Sequence, residues 1–264
     1  MTAVVARAAG SERAPQALLV DVTRCIGCRA CALACKEAHG FAGTGEETEL
    51  DATTLTVLLD KGDDRFVRQL CMHCEDPSCA SACPVGAFRK TPLGPVTYDE
   101  GRCLGCRYCM LACPFGVPRY EWSKAAPAVR KCDMCAERLE KGELPACVAA
   151  CPAEATVAGP RDELLAEAHR RIRENPGLYH PHVYGETEVG GTSVLFLSPV
   201  PFDELGFAAV GTTPPPNLTW AALRKVPAVV SLGGAALFGA WWITHRREEV
   251  AAAEGRPPAR EEVR

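Results

Sequence analysis

Aromatic residues are scarce in this chain, at 6% of 264 positions, and no charge of one sign dominates, the formal net charge being −4. Such a balance leaves no basic footprint of the kind that holds nucleic acid. There is no Ser/His/Asp arrangement, no pair of carboxylates spaced for acid–base work and no glycine-rich phosphate loop, so no substrate site is expected. Met1 to Gln16 contains neither an apolar stretch nor a twin-arginine pair, and no cleavable export signal is expected there. Gly and Pro are plentiful, together about a sixth of the chain. With so few aromatics, that composition describes a loop-rich protein whose order comes from something other than a large apolar core.

Cysteine supplies the missing element. All 16 cysteines fall into four quartets with none left over: Cys25, Cys28, Cys31, Cys35; Cys71, Cys74, Cys79, Cys83; Cys103, Cys106, Cys109, Cys113; and Cys132, Cys135, Cys147, Cys151. The third reads C-x2-C-x2-C-x3-C-P, the pattern of bacterial two-cluster ferredoxins. A disulfide scaffold would be shorter and would rarely space cysteines two residues apart in regular sets. Zinc sites use paired C-x2-C knuckles and need no third cysteine at the next x2 step. Four cysteines per set suit a [4Fe–4S] cube, and four clusters is the simplest count. In the ferredoxin pattern the fourth cysteine crosses to the neighbouring cube. Interlocking by that rule predicts one site from Cys71, Cys74, Cys79 and Cys113 and another from Cys103, Cys106, Cys109 and Cys83. The outer quartets then give Cys25, Cys28, Cys31 with Cys151, and Cys132, Cys135, Cys147 with Cys35. Without iron the chain is not expected to fold properly.

Gly27 and Gly105 stand between ligands, where the backbone must turn its N–H groups towards sulfur. Arg24, Arg29, Arg102, Arg107 and Lys131 flank the cysteines as candidate tuning charges, with ordinary solvated side chains the plain alternative. His73 lies between two ligands, but every quartet is complete without it, and packing or hydrogen bonding is its expected role. Tyr108 and Phe115 are expected to pack beside clusters and keep water away.

The fold class expected is α+β: two interlocked ferredoxin-like two-cluster halves, loop-rich, plus one C-terminal transmembrane helix. Divisions are expected at 1–16 (N-terminus), 17–160 (four-cluster domain), 161–217 (helix, strand and Pro-rich extension), 218–247 (anchor) and 248–264 (polar tail). Ala17 to Val22 reads as a strand leading to Cys25, and Thr53 to Leu59 as a strand turning at Lys61 to Asp64. Pro160 to Glu174 places Leu164, Leu165, Ala168 and Ile172 on one helical face. Gly190 to Leu197 reads as a buried strand, and Pro214 to Pro216 as a semi-rigid spacer. Val226 to Thr244 is 19 residues without a charge, close to the ~20 that cross a bilayer core. Trp220, Trp241 and Trp242 mark its interfaces, and Ser231, Ala235 and Gly239 allow close helix packing. Two Lys/Arg in the twenty residues before the span and five in the twenty after it favour a cytoplasmic C-terminus.

Over about Leu18 to His245 the chain resembles the four-cluster electron-transfer subunits of membrane-bound oxidoreductases, in particular the beta subunit of formate dehydrogenases and its counterpart in nickel–iron hydrogenases. The resemblance rests on Gln69-Leu-Cys-Met-His-Cys-Glu-Asp-Pro, Gly105-Cys-Arg-Tyr-Cys-Met, Cys113-Pro-Phe-Gly-Val-Pro, the Gly190-Gly-Thr strand and the single C-terminal span. It implies a non-catalytic subunit passing single electrons between a catalytic subunit and a membrane cytochrome b that exchanges them with quinone. The outer pair of sites would lie nearer the catalytic subunit and the inner pair nearer the lipid. It further implies a single-pass protein of the bacterial inner membrane, its cluster domain periplasmic and exported folded on a partner's signal. Formate dehydrogenase is the favoured partner. Cys35-Lys-Glu-Ala-His lacks the Trp-Asn that many formate dehydrogenase subunits carry there, and the hydrogenase or another molybdenum or tungsten enzyme stays open. A free-standing polyferredoxin and a redox sensor are the readings from other classes.

Overall fold

The computed structural model describes residues 14–124 and 127–255. Most of the N-terminal stretch read for an export signal, and the end of the polar tail, lie outside them. The chain divides after Pro216 into two compact units.

The first unit is a mixed α/β assembly of short elements. In chain order these are strand β1 (Gln16–Asp21), helix α1 (Ala30–His39), strands β2 (Val57–Asp60) and β3 (Phe66–Gln69), helix α2 (Ser78–Ser81), and strands β4 (Phe88–Lys90) and β5 (Val96–Tyr98). Helix α3 (Tyr108–Ala112), strands β6 (Arg119–Tyr120) and β7 (Val129–Arg130), helices α4 (Ala136–Glu140) and α5 (Ala146–Ala149), strand β8 (Thr156–Pro160), helix α6 (Arg161–Glu174) and strand β9 (Val194–Leu197) follow. Three antiparallel hairpins, β2–β3, β4–β5 and β6–β7, surround one three-stranded sheet in the order β8-β1-β9. In that sheet β1 runs antiparallel to β8, with Leu18 opposite Ala158, and parallel to β9, with Leu18 opposite Val194.

The run Ala-Leu-Leu-Val shows no apolar–polar alternation because both faces of β1 are covered. Leu18 and Val20, with Val194 and Phe196 of β9, enter a core that also contains Cys35, Cys71 and Cys132. Ala17, Leu19, Leu195 and Leu197 point the other way, against Leu164 and Ala168 of α6. Side chains buried on this scale contribute roughly 1.5–3 kcal/mol each, so the sheet is the rigid wall on which the cysteine loops are built. Asp21 at its end is fully buried and satisfied: Arg171 reaches its carboxylate at 2.9 Å, the Tyr179 hydroxyl donates at 2.9 Å, and the Thr23 amide donates at 3.1 Å.

Two expectations need correction. Thr53 to Thr56 are not strand; β2 begins at Val57, because the backbone before it is folded into a turn by Asp51, whose carboxylate accepts the Thr53 N–H at 2.6 Å and whose own N–H donates to the Thr54 carbonyl at 3.2 Å. The triproline is not a spacer, since Pro215 and Pro216 open helix α7 (Pro215–Leu223). The first N–H groups of a helix have no intrahelical partner, so proline is tolerated there.

In the second unit α8 (Val226–Ala253) has a proline in its first turn and no polar face in its apolar part. Val229, Leu232, Leu237 and Phe238 are all exposed. With α7 it forms a helical stretch, Pro215–Ala253, that is long and apolar enough to cross a membrane.

Candidate functional site

Two stretches of the first unit are built alike. Residues 21–35 and 99–113 share the sequence Asp-x-x-Arg-Cys-(Ile/Leu)-Gly-Cys-Arg-x-Cys-x-Leu-Ala-Cys. Their backbones agree as well. Asp21 and Asp99 each cap a 3-10 turn with the side chain; Gly27 and Gly105 have φ of 73° and 72°; and Arg29 and Arg107, at φ of 60° and 65°, begin α1 and α3 in the left-handed region. The left-handed turn at the two glycines lies where no Cβ fits. One added at Gly27 would stand 2.6 Å from the Phe66 ring, and one at Gly105 2.5 Å from the Tyr120 hydroxyl. The other two stretches also correspond. His73 and Met134 are both left-handed just before a cysteine, and Pro77 and Pro145 cap α2 and α5, which carry Cys79 and Cys147. Each cysteine is therefore delivered by a turn the local sequence dictates.

The folded chain draws cysteines from distant stretches together. Cys25, Cys28, Cys31 and Cys151 line one cavity with Phe66 and Arg68. Cys71, Cys74, Cys79 and Cys113 line another with Phe115 and Lys131. Burial raises the Cys132 thiol well above its ordinary value, and the charges of Cys35 and Cys147 raise it further; Cys135 is raised by burial and by Cys147. Burial, then Cys103 and later Cys106, push Cys109 up to about 11, and Cys83 packs in the same apolar cluster as Cys103 and Cys109. Backbone amides already aim at sulfur: Ala87 N–H donates to Cys83 Sγ at 3.2 Å, Met134 N–H to Cys132 Sγ at 3.3 Å and Gly105 N–H to Cys103 Sγ at 3.4 Å.

Repulsion also runs between quartets: after burial in each case, the charge of Cys147 raises Cys31, that of Cys71 raises Cys132, and that of Cys109 raises Cys79. Cys28 and Cys106 are the exposed cysteines.

The donor chemistry fits iron–sulfur cubes. All 16 cysteines are free thiols. Among the described residues no three Cys, His, Asp or Glu side chains converge closely enough to hold a single metal ion, so sulfur-only sets gathered around a wider space are what the site offers. Burial first, and then the charge of Cys71, push Cys79 up to about 12, and burial likewise raises Cys25, Cys31, Cys113 and Cys135. A cationic core that takes four thiolates removes that conflict.

Among the flanking residues, His73 is fully buried and its Nδ1 accepts the Val96 N–H at 2.8 Å, a hydrogen-bonding role as expected. Phe115 lines the Cys71 cavity. Tyr108 does not shield anything: it is 56% exposed, since its place at the start of α3 turns it outward. Lys131 is buried and donates to the carbonyls of Val96 and Cys132, whereas Arg102 pairs with Asp99 at the surface and Arg107 stacks 4.4 Å over Trp122. Sequence reasoning missed Arg68, Tyr98 and the His39–Asp133 pair. The Tyr98 hydroxyl accepts the Val129 N–H at 3.3 Å and bonds to the Cys103 sulfur, and His39 spans from the Cys35 carbonyl (2.8 Å) to Asp133 (3.1 Å). Asp133 first, with Cys35, raises His39 to about 11. None of these carries a spacing signal; each is recognisable only once the hairpins bring it to a cysteine.

Turns of this kind, repeated around sulfur-lined cavities, define a ferredoxin-type iron–sulfur protein, and residues 63–161 match the 4Fe-4S dicluster domain family. Over 96% of its length the chain is 44% identical to a protein of Nitratidesulfovibrio vulgaris, covering 74% of that relative. It is 38% identical to the hydrogenase-2 operon protein HybA of Escherichia coli O157:H7, over 76% of each chain. It is 36% identical to the nitrate-inducible formate dehydrogenase iron–sulfur subunit of Escherichia coli K12, over 70% of this chain and 68% of that one. The chain belongs to this family of iron–sulfur electron-transfer subunits.

Proposed function

We propose that the chain carries four [4Fe–4S] clusters in two interlocked ferredoxin-like halves. The ligand sets are Cys25, Cys28, Cys31 and Cys151; Cys132, Cys135, Cys147 and Cys35; Cys71, Cys74, Cys79 and Cys113; and Cys103, Cys106, Cys109 and Cys83. The observation that carries this reading is the pair of sulfur-lined cavities, each of which draws its fourth cysteine from a distant stretch, Cys151 with Cys25, Cys28 and Cys31, and Cys113 with Cys71, Cys74 and Cys79. The clusters would supply one-electron redox chemistry; the protein supplies ligands, amide hydrogen bonds and an apolar surround. The sites with the exposed Cys28 and Cys106 are the ones that meet partners. The role is that of a non-catalytic subunit passing electrons between a catalytic subunit and a membrane cytochrome b that exchanges them with quinone. Helix α8 anchors it in the bacterial inner membrane, with the five C-terminal Lys/Arg on the cytoplasmic side and the cluster unit in the periplasm.

A molybdenum or tungsten formate dehydrogenase is the favoured catalytic partner, supported by similarity to formate dehydrogenase iron–sulfur subunits from several sources. The identity to HybA, 38% against 36% and 33% for formate dehydrogenase subunits, favours a nickel–iron hydrogenase as the second reading. Gentle solubilisation, capture of the chain by a C-terminal tag, identification of the co-purifying subunits and assay of dye reduction by formate and by hydrogen decide between them. A pterin subunit with formate activity supports the first, and a nickel–iron pair with hydrogen activity the second. Turnover by the isolated chain would overturn the carrier role.

A further inference from the structure

Arg68 lies on β3, three residues before Cys71, yet its side chain lines the cavity of Cys25, Cys28, Cys31 and Cys151. It is 3% exposed, and among the described residues it is the buried arginine. Its Nε donates to Thr56 Oγ1 at 3.2 Å and its Nη1 to Thr156 Oγ1 at 3.3 Å. These hydroxyls orient the guanidinium but bring no charge, and among the described residues no carboxylate lies within ion-pair distance of it. A guanidinium keeps its positive charge even when buried, and the sulfurs that share its cavity are those of Cys25, Cys28, Cys31 and Cys151.

A cation buried without an anion is strongly unfavourable. Here the anions are the cysteine sulfurs that line the same cavity. We infer that Arg68 is the counter-ion of the cluster held by Cys25, Cys28, Cys31 and Cys151, holding it at a more positive reduction potential than its burial alone would set. This rests on the ligand reading above. A cube with four thiolates is an anion and gains one further negative charge on one-electron reduction, so a fixed cation beside it stabilises the added electron. Net charge and hydrogen bonding to sulfur are among the known determinants of cluster potential. Because Thr56 and Thr156 fix the guanidinium, the compensating charge need not move as the electron passes. Arg68 is thus a positioning and charge-balancing residue.

The test uses the full chain in its complex, purified in detergent, with iron content and an EPR-monitored redox titration of every cluster for the unaltered protein and for Arg68→Met and Arg68→Lys. Cys28→Ser identifies the signal of that cluster. The expected result for Arg68→Met is retained iron and a fall in the potential of that cluster alone. The fall should correspond to about a tenfold change in its reduction equilibrium, which is ~59 mV for a one-electron couple. Arg68→Lys, which keeps the charge, should leave the potential in place. An unmoved potential in Arg68→Met, or an equal fall in Arg68→Lys, overturns the inference. If Arg68→Met loses its iron, Arg68→Gln takes its place with the same two outcomes. Fewer than four clusters in the unaltered protein would instead overturn the ligand reading.

Discussion

The stretches 21–35 and 99–113 begin as near copies and end in different surroundings. Asp21 and Asp99 make the same cap on the same kind of turn, but Asp21 is sealed beneath Arg171 and Tyr179 while Asp99 stands half exposed beside Arg102. The first stretch runs out of the three-stranded sheet, with Asp21 held by Arg171 of α6; the second packs with α2 and the small β4–β5 and β6–β7 hairpins. A ligand loop is therefore a portable piece of local geometry, and the scaffold behind it decides how much each residue of the loop is worth. Cations reach from one quartet to another: Arg68, ahead of Cys71, lines the cavity of Cys25, Cys28, Cys31 and Cys151, and Lys131, ahead of Cys132, lines that of Cys71, Cys74, Cys79 and Cys113.

Removing a cysteine should break this comparison most severely. Cys147→Ser, at a buried position in contact with two sets, is expected to cost more than one cluster's iron and to leave little folded protein. Cys28→Ser, exposed at one end, should lose a single cluster. Iron per chain and recovery of soluble complex distinguish the two. Next come the aspartate caps: Asp21→Ala removes the buried carboxylate that Arg171, Tyr179 and Thr23 all reach, though Arg171 keeps Glu167, and should cost about 1.5–3 kcal/mol. Asp99→Ala should cost about 1 kcal/mol, the price of a lost cap. Thermal unfolding of the two variants side by side reads the difference, and equal losses would mean the scaffold does not matter. Smaller again are the glycines. Gly27→Ala and Gly105→Ala should each cost about 1–3 kcal/mol by crowding, but only the second should be relieved by a companion change, Tyr120→Phe, which removes the hydroxyl its new methyl meets. The smallest effect belongs to Arg107→Ala, which removes the stacking on Trp122 and should cost about 0.5–1 kcal/mol at this exposed site.

Much of this was legible in the sequence. The 16 cysteines announce four sets by spacing alone, Leu164, Ala168 and their neighbours announce the face of α6, and an uncharged run announces a helix able to cross a membrane. What could not be read depends on contacts across long separations. Arg68 sits in an ordinary strand, and only the hairpin that carries it shows it to line a cavity with Cys31 and Cys151. Thr53 and Thr54 look like strand residues, but Asp51 takes their backbone into a turn, which shortens β2. Tyr108 looked like a shield because it adjoins a cysteine; adjacency in sequence says nothing about which way the first turn of α3 faces.

The central sheet also sets a timetable. Strand β1 is the first of its strands to leave the ribosome, and both of its partners, β8 and β9, are made more than 130 residues later. Pairings across such separations close slowly, because loop entropy must be lost before the contacts form. During synthesis the apolar faces of Leu18 and Leu19 wait uncovered while the interior loops between them and β8 are already complete. The cysteines from Cys71 to Cys113 are close in sequence and are all made before β8 and β9, so the expected order is that their loops form first and β1 is covered last.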